Sequence, residues 1–234
     1  MTETLVQIRP RHQMTIKEAI SIAGALGHPS KMPGYSYGIS ATKCHTGSKL
    51  RSVPGSVCSG CYAMTDWYRS WRPLLAGHAR RYAGLGHPRW ADAMVRMISS
   101  ACSPPDDYFR WHDSGDLQGL WHLANIAEVC RRTPNVQHWL PSREYEYVAR
   151  YLATGNSIPD NLCIRLSAHM IDSEPVIPDH LKELGGDLPV ATVSTAQTRP
   201  STLRKPSTVH SPPKASLARH PIARWAALLP RLAS

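Results

Sequence analysis

YFRWHDSGDLQGLWHLANIAEVCRRTPNVQHWLPSREYEYVARYLATGNSIPDNLCIRLSAH, residues 108–169, alternates two kinds of segment. Tyr108–Trp111, Val136–Leu140 and Leu162–Leu166 are short runs of aromatic and aliphatic residues, the composition of buried strands. Between them, residues 117–132 and 145–153 repeat apolar side chains at helical spacing, the second run stopping near Gly155. Strand, helix, strand, helix at this interval predicts parallel βαβ units. Working outward, a further helix is expected near 178–185 and a fourth strand at Leu188–Val193. Upstream, helices are expected over 88–100, 67–84 and 15–26, the last with Thr15 as N-cap and Glu18 at capping-box spacing. The fold class is α/β: a partial parallel β/α barrel or an open parallel sheet with flanking helices, short of the eight strands of a closed barrel.

Right-handed crossovers place every strand's carboxyl end on one edge of such a sheet. HDSGD (112–116), SRE (142–144) and SAH (167–169) each follow a strand and are expected to converge there, where parallel α/β proteins build their sites. His112 and Asp113 are the candidate catalytic residues, able to bind a ligand or move a proton. Ser114 and Asp116 are candidate ligand-binding residues, with capping of the following helix as the competing role for Asp113, Ser114 and Asp116. Arg143 and Glu144 form either a clamp for an anion or an internal ion pair. His169 is either a ligand-binding or a structural histidine.

The chemistry-bearing stretch lies upstream, in residues 28–62, which are rich in Gly, Ser, Pro and Lys and show no period. A stretch of this length without regular structure is uncommon unless it is functional. It holds Cys44, Cys58 and Cys61. The two-residue gap between Cys58 and Cys61 lets both sulfurs reach one centre, and Gly60 relaxes the turn. Lys43, Lys49 and Arg51 are expected to favour thiolate over thiol. Three cysteines leave one position open. That suits a [4Fe–4S] cluster with one iron free, as in enzymes that use S-adenosylmethionine. Zinc is the alternative and normally takes four protein ligands in a structural site. His45 is a candidate fourth ligand, and a loop that binds nothing is the bland reading. Cys130 and Cys163 fall in apolar runs and are expected in the core, while Cys102, before a Pro-Pro turn, is expected to be exposed.

The net charge of +10 is uneven: no Asp or Glu follows Asp187, while seven Lys or Arg do. The expected organisation is an α/β domain over 1–195, including the loop 28–62, and a basic Pro/Ser/Arg-rich tail over 196–234 that is disordered apart from a short helix at 222–233. No apolar run reaches the ~20 residues that cross a bilayer. Glu3 and Arg9 interrupt any signal peptide. A cytoplasmic protein, not a membrane one, is expected.

KMPGYSYGISATKCHTGSKLRSVPGSVCSGCYA (31–63), YFRWHDSGDLQ (108–118), WLPSREY (139–145) and LCIRLSAHMID (162–172) resemble the successive motifs of the phage and prophage gene-product-88 family, over about Lys31 to Val193. The resemblance implies an iron–sulfur protein with a partial parallel barrel, distantly similar to radical S-adenosylmethionine enzymes, in the host cytoplasm. It carries the metal-ligand role to Cys44, Cys58 and Cys61, and site roles to His112–Asp116, Ser142–Glu144, Arg165, Ser167 and His169. Relatives continue into a second cysteine group, and this chain has no Cys after Cys163. Its acid-free end looks like a shifted frame or a recombined end. Three functions compete: a radical-type iron–sulfur enzyme, a zinc- or cluster-stabilised module gripping nucleic acid by Lys43, Lys49, Arg51 and the tail, and an inactive remnant.

Overall fold

The computed structural model describes residues 14–193, apart from 30, 31, 33, 104–106, 175 and 186–187. The expected disordered tail at 196–234, with its helix at 222–233, lies outside the described residues. Five strands, β1 (Tyr35–Tyr37), β2 (Tyr108–Trp111), β3 (Gln137–Ser142), β4 (Leu162–Ser167) and β5 (Val190–Ala191), form one sheet in that order. Every neighbouring pair is parallel. A doubly wound sheet reverses its order at a switch point. This one does not, so right-handed crossovers stack their helices on a single face.

The helices are α1 (Ile16–Ala23), α2 (His45–Leu50), α3 (Asp66–Ser70), α4 (Arg72–Gly84), α5 (Trp90–Ala101), α6 (Leu120–Arg132), α7 (Tyr145–Ala153) and α8 (Asp179–Gly185). Packing follows chain order: α5 meets α6, α6 meets α7, and α7 meets α8, with α1 against α4 and α5. The capping box at Thr15 forms as its spacing predicts, with Thr15 N–H donating to Glu18 Oε2 at 2.7 Å and Glu18 N–H to Thr15 Oγ1 at 3.2 Å. The single helix expected over 67–84 is two, because Pro73 in the first turn of α4 has no N–H to continue a helix through Trp71. α6 begins at Leu120 rather than 117, behind Gly119 at φ 151°. β1 was not anticipated. Its three residues are too few to show alternation, and it is fixed by pairing: Gly27 and Ser36 exchange both backbone hydrogen bonds at 2.8 Å.

Alternation divides the sheet. Tyr37, Phe109, Trp111, Leu140, Ile164 and Leu166 face the helices and are buried. Ser36, Arg110, Trp139, Pro141, Arg165 and Ser167 occupy the intervening positions and face the other way. Cys130 lies in the core and Cys163 is also buried, as expected. Cys102, expected to be exposed, is buried, with its thiol 3.7 Å from the Tyr108 carbonyl. Among the described residues no helix is long and apolar enough to cross a membrane.

The core's polar hub is Tyr37. Its hydroxyl donates to Ala23 O at 2.6 Å and accepts from Trp90 Nε1 at 3.1 Å, tying β1 to α1 and α5. Burial pushes this phenol far above its ordinary range, so it stays a hydroxyl. Tyr37→Phe strands the indole N–H and the Ala23 carbonyl. A stability loss of about 1–3 kcal/mol is expected in urea unfolding.

Candidate metal centre

The cysteine loop lies across the carboxyl edge of the sheet, held there by three fastenings. Cys44 is the N-cap residue of α2, but its side chain makes no capping bond. Glu144, at the start of α7, caps from a distance: Oε1 accepts from Thr46 N–H at 2.8 Å and Oε2 from its hydroxyl at 2.7 Å. A carboxylate at this helix end is electrostatically favoured. On the far side, Val57 N–H donates to His169 O and Ile171 N–H to Gly55 O, both at 2.9 Å. Finally, the Tyr62 hydroxyl donates to the Asp113 carbonyl.

These fastenings bring all three cysteines to one cavity of about 200 Å³, together with Arg51, Arg110, His112 and Arg143. Gly47 makes room for the sulfurs. A Cβ there would stand 3.5 Å from Cys58 Sγ and 3.6 Å from Cys44 Sγ, so both sulfurs face the same small space. Burial pushes the Cys44 thiol far up, with Asp116, the other two thiols and Glu144 adding to it. Burial also raises Cys58, against the pull of Arg143 and, more weakly, Arg51. Of the cations expected to favour thiolate, Arg51 does act in that sense at Cys58, but desolvation outweighs it, the strongest cation there is Arg143, and Lys43 sits 4.7 Å over the Tyr82 ring. His45 is also turned away, its Nδ1 2.5 Å from the Tyr147 hydroxyl. Among the described residues no three His, Cys, Asp or Glu side chains are grouped closely enough to hold a single metal ion.

The strand-end motifs converge as expected, though with divided roles. His112 follows β2 with φ 56°, a left-handed conformation unusual for a side chain with a Cβ. Its N–H donates to Tyr37 O at 2.8 Å, which fixes that geometry. Burial pushes its imidazole down to about 3, so the ring is neutral, and neither ring nitrogen has a hydrogen-bond partner among the described residues. Asp113 and Ser114 line the same cavity, each with a buried oxygen lacking a partner there. Neither caps α6, whose N-cap is Gly119.

Asp116 is a clasp. Oδ1 accepts from Leu117 N–H at 2.8 Å and from Ser142 Oγ at 2.7 Å, and Oδ2 accepts from Arg143 N–H at 2.9 Å. Glu144 turns to Thr46, and among the described residues it makes no ion pair with Arg143. Arg143 Nε donates to Ala168 O at 3.0 Å while its guanidinium borders the cavity. His169 stacks on Tyr145 with centroids 4.5 Å apart and its Nε2 lies 3.1 Å from Arg143 O, a structural position. Arg165 stands on the sheet face away from the helices. Sequence reasoning missed Gly47 and Arg110. The Gly-Ser at 47–48 read as loop chemistry, and Arg110 was hidden inside a strand.

A singly wound parallel α/β sheet with a three-cysteine loop seated on its carboxyl edge is the class of protein defined here. The chain belongs to the gene product 88 family, whose model matches residues 12–223, past the Val193 at which the resemblance was expected to end. No curated protein and no solved structure matches it.

Burial and the nearby Glu144 push Asp116 up to about 6, against its hydrogen bonds. An unfolded carboxyl titrates near ~3.9. A folded pKa above the unfolded one means that this contribution is full below about 4 and is lost as pH rises to about 6. Asp116→Asn is expected to flatten that part of the stability–pH curve. It should also lower stability overall, since an amide nitrogen would face Arg143 N–H. Urea midpoints of both proteins between pH 4 and 7 check this.

Proposed function

We propose that Cys44, Cys58 and Cys61 hold an iron–sulfur cluster of the [4Fe–4S] type at the carboxyl edge of the sheet. One iron is left for a small molecule of the S-adenosylmethionine kind. The observation that carries this reading is the convergence of three thiols, from a loop fastened at both ends, on one cavity beside the strand-end polar residues. The space left at Gly47 supports it as well. A zinc ion asks all its ligands to approach a single point at about 2.3 Å per sulfur, whereas a cluster lets each thiolate take a different iron. Nothing in the placement of Lys43 or Arg51 favours nucleic acid: one covers a tyrosine ring and the other donates to Ala41 O at 3.2 Å.

Such a cluster supplies an electron, and a Lewis-acidic iron, when bound. The chain's own groups do the rest. Arg51 and Arg143 offset the negative charge of the thiolates. His112, held neutral, offers one N–H and one lone pair to a bound molecule, and Asp113 offers a carboxylate oxygen.

Anaerobic reconstitution with iron and sulfide should give a brown protein with acid-labile sulfide, and Cys58→Ala should lose the colour. Gly47→Ala provides a second variant. The added methyl would press on Cys44 Cβ at 3.0 Å and stand against both sulfurs, so cluster occupancy should fall, and the urea midpoint of the metal-free variant, read alongside, separates that loss from a failure to fold. A colourless protein with stoichiometric zinc would reject the proposal. So would a folded chain that takes up no metal, which is the outcome for an inactive remnant.

A further inference from the structure

The second face of the sheet carries two arginines that make no ion pair among the described residues. Strands β1 to β5 contain no Asp or Glu. Two arginines, Arg110 on β2 and Arg165 on β4, occupy positions that face away from the helices. The Nε of each is buried and lacks a hydrogen-bond partner among the described residues. Neither makes an ion pair there. Arg110 is oriented by its neighbours: its guanidinium lies 4.6 Å over the Trp139 ring, and Nη1 is 2.8 Å from the Met32 sulfur, a weak acceptor. Ser36 Oγ and Gln137 Oε1, on the same face, are also buried without partners among the described residues.

A buried donor without an acceptor costs stability, and a buried cation costs more. Three of these atoms, Arg110 Nε, Arg165 Nε and the Ser36 hydroxyl, can donate, and two of them sit on guanidinium groups, which describes a surface shaped to receive hydrogen-bond acceptors and negative charge. We infer that this face binds a small molecule bearing two anionic groups, carboxylate or phosphate, with Arg110 and Arg165 as its anchors.

The register sets the scale. Arg110 pairs with Trp139 on β3, and Trp139 pairs with Cys163 on β4, two residues before Arg165. The two arginines thus stand two strand spacings apart and two residues offset along the strands, roughly 12 Å between their Cα atoms. Both long side chains can reach a single ligand of metabolite size. The site adjoins the cysteine cavity, which is lined by Arg110 itself, by Ser167, and by Pro141, the register partner of Arg165. A molecule anchored here presents its other end to the three thiols. The inference does not depend on what those thiols hold, and its test is made without metal.

The full-length, metal-free protein is titrated calorimetrically with inorganic pyrophosphate and, separately, with citrate. Saturable binding of at least one is expected. Arg110→Gln and Arg165→Gln should each weaken it by at least about tenfold. Arg132→Gln, which removes only an exposed partner of Asp92, should leave it unchanged. Arg165→Lys, which keeps the charge and loses the fork, should recover part of the affinity. Preference for pyrophosphate assigns a phosphorylated ligand, and preference for citrate a carboxylic one. Without anion, Arg165→Met should unfold at the same or a higher urea concentration than the parent, because the residue is held at the expense of stability. Absence of saturable binding by either anion, or equal binding by the Arg110 and Arg165 variants, overturns the inference. So does a lower urea midpoint for Arg165→Met, which would make the arginine a structural residue.

Discussion

Two carboxylates three strands deep in the chain's order hold the carboxyl edge together. Asp116 ties the loop after β2 to the end of β3 by accepting from Ser142 and Arg143. Glu144, one residue beyond that contact, ties the same corner to the cysteine loop through Thr46. The first bond set fixes where β3 ends, and the second fixes where α2 begins. Cys44 immediately precedes α2, so its position is inherited from β3 rather than from its own neighbours. A site assembled in this way needs the sheet to be complete before the loop can settle.

This arrangement accounts for the electrostatics of the thiols. Both carboxylates lie close enough to raise Cys44, and burial raises it further. The protein thus keeps a sulfur beside negative charge in a poorly solvated place, where a proton is hard to lose to water. A bound cationic centre removes that penalty, because it takes the proton's place. Arg143 works in the opposite sense at Cys58, and it is presented by the backbone bond that Asp116 makes. One clasp therefore governs the geometry of one thiol and the charge felt by another.

The sheet was legible in the sequence because its strands and helices each carry a period. Phe109 and Trp111, Leu140, and Ile164 with Leu166 announce the buried face, and 145–153 coincides with α7. β1 escaped because three residues cannot display alternation, and its partners lie some seventy residues away in Phe109–Trp111. The cysteines were legible as ligand-type residues in one loop, and His112 and Asp113 as strand-end residues. What could not be read was which charged groups would be consumed by structure. Glu144 and Asp116 look like site residues in a one-dimensional string, yet their oxygens are occupied by Thr46, Ser142 and backbone N–H groups. Arg110, inside a strand, looks like an ordinary exposed position of alternation, and Arg165 was marked only by the motif that contains it. Only the register shows that they share a face without an acid.

Natural sequences keep to local rules except where function requires otherwise. The distribution of exceptions here is uneven. Arg51, Arg110, His112, Asp113 and Ser114 each bring a buried, unpartnered polar atom among the described residues to one cavity, and His112 adds a left-handed backbone. The helix-side exceptions are histidines such as His122 and His138, which lie among aromatic rings and keep one nitrogen bonded, to Gln118 N–H and Thr133 Oγ1 respectively. Such rings are tolerated because burial keeps them neutral, well below their usual range. The cavity's arginines have no such escape, since a guanidinium does not give up its proton. Their cost is relieved by an anion and not by titration, and that distinction separates a surface awaiting a ligand from a core that merely accommodates polar residues.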